Sequence, residues 1–255
     1  MENKIDYSIF KGIFSFDIET APQEPDYNKL SESQKAIWHN RYIVRNTKKY
    51  ADEYDKPENN LKGKYNAECS FFPDFSQVVC ISISPIYSRI TKGYNTNALS
   101  FTCVKHKTWQ ENEKEILEDF ASFLTRARPT SLLGMNINAF DIPFLQKKYI
   151  FHNLDMPVIL KKSYTKSNGI LKTQKPWNID DMYLDLMWLF KGMSREFNSL
   201  NDICLFLNIP SPKGSIDGSQ VSEYYFAGKI KEITTYCEAD VDASKKVYLK
   251  LYNSF

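Results

Sequence analysis

Histidine is scarce in this 255-residue chain: three residues, at 39, 106 and 152, with no spacing between them that marks a zinc site. The five cysteines, Cys69, Cys80, Cys103, Cys204 and Cys237, stand far apart, include no CxxC pair and are odd in number. That argues against a disulfide framework and leaves the thiols as small apolar fillers in a reducing compartment. An excess of one charge is also lacking. With 33 Lys and Arg against 31 Asp and Glu the net charge is +2, so contact with nucleic acid has to come from a local patch. The start, Met1 to Asp6, has no apolar signal-peptide core, and no run approaches the length that spans a membrane. The expectation is a soluble, cytoplasmic protein without membrane contact. Internal repeats and low-complexity tracts are missing too.

What is present suffices for a sizeable core: 42% hydrophobic residues, with 17 Phe and 16 Tyr. Residues 13–19 read as a strand, followed by a polar stretch over 20–76 with helical spacing from Leu30 to Tyr50. Gln77 to Pro85 and Ala98 to Val104 are strand-like, and Trp109 to Arg126 is an amphipathic helix. Ser131 to Met135 is a short apolar strand, and Phe140 to Asn153 starts as a helix, with Pro143 tolerated in its first turn. Met182 to Phe190 fits strand or helix. Asn198 to Leu207, Val221 to Phe226 and about Lys229 to Asn253 read as helices. This order predicts an α/β mixed sheet flanked by helices, with 20–76 as a helical insertion between the first two strands.

The chemistry begins in Phe14-Ser15-Phe16-Asp17-Ile18-Glu19-Thr20. Alternation along a strand puts Phe14, Phe16 and Ile18 on one face, and Ser15, Asp17 and Glu19 on the other. Two carboxylates side by side repel, and a divalent cation would remove the conflict. Asp141 falls where a strand has ended and a helix begins, in Gly134-Met135-Asn136-Ile137-Asn138-Ala139-Phe140-Asp141-Ile142-Pro143-Phe144-Leu145. Tyr236 and Asp240, four residues apart in the last helix, share one face. Ala239 and Ala243 let that helix sit close against the sheet.

These three segments together resemble the motifs of the DEDD exonuclease superfamily, in its DEDDy branch, with Thr235 where the histidine branch has its base. Residues 134–145 are especially similar to the proofreading exonuclease domain of family-B DNA polymerases. The resemblance covers 12 to about 250, is weakest in 20–76 and 155–180, and implies a single 3′–5′ exonuclease domain over 1–255 with an RNase H-like fold. It implies two divalent ions, Mg²⁺ or Mn²⁺, suited to an all-oxygen ligand set. By the same resemblance Asp17 bridges both ions, Glu19 and Asp240 hold the one that activates water, and Asp141 holds the second. Tyr236 positions the attacking water. The implied reaction removes nucleoside 5′-monophosphates from the 3′ end of single-stranded or frayed DNA.

Thr20, Asn136 and Phe140 match positions that contact the single-stranded 3′ end, and Lys213 matches a lysine beside the scissile phosphate; an exposed loop is the alternative for Lys213. Asp185 is expected to be structural and Glu238 solvated. The basic segment 158–178, with Lys161, Lys162, Lys166, Lys172 and Lys175, is a solvated hairpin or a flap over the substrate. A 3′–5′ exoribonuclease is the rival activity, since both polymers carry the same bond. The rival of another class is a nucleic-acid-binding accessory module for a DNA polymerase. Partners in proofreading or DNA repair stay open.

Overall fold

The computed structural model describes residues 6–46, 61–167, 170–173, 182–192, 199–212, 214 and 216–255. Five strands form its central sheet: β1 (Ile13–Pro22), β2 (Ser76–Pro85), β5 (Leu99–Phe101), β6 (Ser131–Gly134) and β9 (Tyr183–Asp185). They lie in the order β5-β2-β1-β6-β9. β2 runs antiparallel to β1 and β5, while β6 runs parallel to β1 and β9. The sheet is therefore mixed, as the order of elements predicts.

The period-2 alternation of β1 divides the molecule into two faces. Phe16 and Ile18 enter a buried cluster with Ile116, Leu117, Phe120 and Leu124 of α3 (Trp109–Ala127) and Leu145 and Tyr149 of α4 (Asp141–Phe151). On the other face α8 (Ile230–Tyr252) lies against β1 and β2. Its Ile233 and Cys237 meet Ala21, Val79 and Cys80, and its Ala243 and Val247 meet Leu133. β2 carries a bulge: Glu19 pairs with Cys80 but Thr20 pairs with Val78, so Val79 is extra. The bulge lets both Val79 and Cys80 face α8.

The stretch between β1 and β2 contains α1 (Glu32–Asn46) and α2 (Leu61–Glu68). Trp38, Tyr65 and Phe75 form its own buried aromatic cluster. The second of these helices is not evident from the sequence, because Leu-Lys-Gly-Lys-Tyr-Asn-Ala-Glu offers little apolar spacing and a central glycine. A short hairpin, β3 (Tyr87–Ser88) and β4 (Gly93–Tyr94), likewise goes unannounced. Met182 to Phe190 proves to be both alternatives in turn, β9 followed by α5 (Leu186–Lys191), with Asp185 as the N-cap that ends one and starts the other. α6 (Leu200–Phe206) and α7 (Val221–Phe226) complete the helices that pack around α8. The basic segment forms an antiparallel hairpin, β7 (Tyr164–Ser167) with β8 (Ile170–Thr173); Lys175 lies outside the described residues.

Candidate active site

Each carboxylate is placed by a local reason. β6 ends at Gly134, where a side chain would meet Phe16 O at 2.7 Å and Ile137 Cγ2 at 2.5 Å, so only glycine lets the strand and the following loop pack this closely. The chain then turns through Asn136, in left-handed conformation with φ 60°, which asparagine tolerates better than most residues. Asp185 fixes this turn. Its Oδ1 accepts from Asn136 N (2.9 Å) and Met187 N (3.0 Å), and its Oδ2 from Asn138 N (3.0 Å). Its expected structural role is thus a specific one: a buried carboxylate spent on the loop that leads into α4.

Asp141 opens α4 and is 2% exposed. Its Oδ1 accepts the N–H of Ile18 at 3.2 Å, a β1 donor lying beyond the Ile13 to Ser15 stretch that pairs with β6. Asp17 and Glu19 come off the same strand on the face towards α8. From α8, Cys237 donates through sulfur to Asp17 O (3.4 Å) and Asp17 Oδ2 (3.5 Å). Tyr236 stands one turn before Asp240 on the same face of α8, close enough for the two groups to shift each other's proton affinity. Asp17, Tyr236 and Asp240 keep partial exposure, whereas Glu19 and Asp141 are buried.

The electrostatics follow from this crowding. Burial, and then the charges of Glu19, Asp141 and Asp240, hold the Asp17 carboxyl well above the usual range. Glu19 is pushed up by burial and by Asp240. Burial raises Asp141 to about 7, against the amide bonds that favour its anion, and raises Asp240 to about 6. Burial and the neighbouring carboxylates also raise the Tyr236 phenol, which keeps it a neutral donor. Among the described residues no Lys or Arg pairs with any of the four acids. Four mutually repelling oxygen ligands without a protein cation fit hard divalent ions such as Mg²⁺ or Mn²⁺.

The other expected contacts divide. Phe140 stands just before Asp141, its ring 6.0 Å from that of Phe71 and 5.5 Å from that of Phe144. Asn136 lends its N–H to Asp185, as above. Thr20 is buried, and its hydroxyl donates to Ser70 O at 2.8 Å. That bond ties the end of the inserted stretch to β1. Lys213 lies outside the described residues. Glu238 is a correction: it is only partly exposed, and its Oε1 accepts from Ser100 Oγ at 2.6 Å. The helix leans on the edge strand β5 there, which a single-helix projection does not reveal.

Two features of the site escape the sequence. Cys237 reads as an apolar filler, yet its sulfur lies within 4.8 Å of ligand atoms of both Asp17 and Glu19. Its position beside Tyr236 and three before Asp240 was the available signal. The second is a buried ion network under the bulge. Glu113 Oε1 accepts from Val78 N (2.7 Å) and Lys148 Nζ (3.1 Å), while its Oε2 meets His152 Nε2 at 2.7 Å.

The fold is similar to the structure of the family B DNA polymerase from the hyperthermophilic archaeon Pyrobaculum calidifontis, with a TM-score of 0.53 at 15% identity. That likeness covers 95% of this chain and 24% of the polymerase chain. No curated protein matches. A family described as "Predicted 3'-5' exonuclease related to the exonuclease domain of PolB" matches residues 70–254, and this chain belongs to it. The match contains Asp141, Tyr236 and Asp240; Asp17 and Glu19 precede it and join them in space. No helix among the described residues is long and apolar enough to cross a membrane.

Proposed function

We propose that this protein is a metal-dependent 3′–5′ exonuclease acting on the 3′ end of single-stranded or frayed DNA and releasing nucleoside 5′-monophosphates. The observation that carries this reading is the crowding of Asp17, Glu19, Asp141 and Asp240, whose charges act on one another and on Tyr236, in a chain of the exonuclease family. Asp17, Glu19 and Asp240 would hold one divalent ion, and Asp17 with Asp141 a second. Ions held there supply a polarised water and neutralise charge on the leaving 3′ oxygen. The chain's own part is to fix the ligands and orient the water. Asp141 is held by the Ile18 amide, and Tyr236, kept protonated, donates rather than abstracts a proton. Phe140, partly exposed and followed directly by Asp141, offers a ring on which a terminal base can stack, a contact worth about 1–3 kcal/mol. Asn136 borders the same loop.

The kinship with a polymerase domain favours DNA over RNA, and a DNA polymerase or repair protein as partner. The free, buried cysteines suit a reducing cytoplasm. The test is parallel digestion of 3′- and 5′-labelled single-stranded DNA, duplex DNA and RNA, with Mg²⁺ and with Mn²⁺. Mononucleotide release from the 3′ end of DNA, lost in Asp17→Ala and in Asp240→Ala, is the expected result. Turnover that persists in a chelator overturns the mechanism, and a preference for RNA overturns the substrate.

A further inference from the structure

Away from the carboxylate cleft, the loop between β5 and α3 gathers three metal-ligating groups of different chemistry. Cys103, His106 and Glu115 present a sulfur, a ring nitrogen and a carboxylate oxygen that all lie within 4.8 Å of one another. His106 Nε2 stands 2.7 Å from Glu115 Oε2. Donor atoms on a tetrahedral Zn²⁺, at bonds of about 2.0–2.3 Å, stand roughly 3.3–3.6 Å apart. The three groups are therefore within a small adjustment of that geometry.

The loop is also built, not merely crowded. Asn112, itself buried on α3, accepts from Cys103 Sγ (3.4 Å) and from His106 N (2.9 Å) through Oδ1, and donates to His106 O through Nδ2 (3.3 Å). One side chain thus sets both ends of the Cys-x-x-His turn against the helix that carries Glu115. Cys103 belongs to the main core, so the turn is anchored from below. His106 and Glu115 reach solvent, which gives an ion a way in. Lys105 occupies Glu115 Oε1, but its side chain is 71% exposed and is free to swing aside.

We propose that Cys103, His106 and Glu115 form a second metal site, for one Zn²⁺ or an ion of similar thiophilicity, with water in the fourth position. Binding releases the Cys103 thiol proton to solvent and displaces the Lys105 ammonium from Glu115. Softness separates this site from the cleft: a thiolate with an imidazole selects zinc-like ions, whereas the carboxylate set suits Mg²⁺ or Mn²⁺. The ion fastens the loop that follows edge strand β5 to α3, the helix whose Glu113 supports the bulge beside Glu19.

The test is a Co²⁺ titration of the intact protein in excess Mg²⁺, read by the thiolate-to-cobalt charge-transfer absorption. One equivalent is expected, displaced by Zn²⁺, with the band abolished in Cys103→Ser and retained in Cys237→Ser. Asn112→Ala, whose side chain is not a ligand, should weaken binding about tenfold. Circular dichroism of each variant verifies that the fold is intact. A wild-type protein with no thiolate band overturns the site. So does a band that survives Cys103→Ser but vanishes in Cys237→Ser, since the thiol beside Asp17 would then be the ligand. The readout is absorption, so the outcome is independent of whether the cleft is an exonuclease.

Discussion

The main-chain N–H of Ile18 donates to Oδ1 of Asp141 across 3.2 Å, joining the central strand to the start of a helix 123 residues later. The carboxylate does two things there: it satisfies a buried strand donor and it contributes charge to the cleft. Conservative substitution separates them. Asp141→Asn keeps an acceptor for Ile18 and removes a buried charge, so the melting temperature at neutral pH should hold or rise while activity falls at least about a hundredfold. Asp141→Ala strands the buried N–H and should also cost about 1–3 kcal/mol in chemical denaturation. If the two variants melt alike, the hydrogen bond carries no weight.

Asp185 acts on the same loop from outside the cleft. It is a positioning residue, three N–H groups being bound to its two oxygens. In Asp185→Asn one oxygen becomes a donor facing a donor, so at least one bond is lost and the turn that presents Asp141 loosens. Turnover should fall by more than the affinity for single-stranded DNA measured in Ca²⁺, because the loop presents the ligand Asp141 as well as the Phe140 ring. An affinity loss as large as the loss of turnover would contradict this.

Much of this was legible in the sequence because the signals are local. The period of β1 placed Asp17 and Glu19 together and opposite Phe16 and Ile18. The i, i+4 spacing placed Tyr236 with Asp240. The missing parts are long-range. Glu113 looks like any charged residue on an amphipathic helix, and only the packing of α4 brings Lys148 and His152 to it. Cys237 needed the register of α8 against β1 before its sulfur could be placed beside Asp17. Thr20 borders the site in sequence, but that its hydroxyl donates to Ser70 O needed the packing of the inserted stretch against β1.

The Glu113–Lys148 pair makes a stability prediction. Both side chains are essentially inaccessible, at 0% and 1% exposure, and burial pulls the Lys148 ammonium below its ordinary range. Glu113→Gln leaves a buried cation without its counter-charge and should cost about 3–5 kcal/mol. Adding Lys148→Met removes that cation and should recover a large part of the loss, since the new side-chain amide still offers Val78 N a carbonyl oxygen. Chemical denaturation of both single variants and the double variant gives the coupling. Additive losses would rule out the pairing as the source.

Removal of metal should expose the carboxylate repulsion as a pH dependence of stability. Burial raises Asp141 to about 7 and Asp240 to about 6, from an ordinary value of 3.8. A raised carboxyl binds its proton more tightly in the folded state than in the unfolded one. Its stabilisation is therefore complete below about pH 4 and is lost as pH rises through 6 and 7. In chelator the melting temperature should fall across that window. Asp17→Asn or Asp240→Asn should flatten the fall, because each removes one member of the repelling set. A divalent cation supplies the missing counter-charge, so Mg²⁺ or Mn²⁺ should raise the melting temperature more at pH 8 than at pH 5. The check is a grid of melting curves over pH with chelator, Mg²⁺ and Mn²⁺. A metal effect of equal size at both ends of the range would mean that the ions bind somewhere other than these four acids.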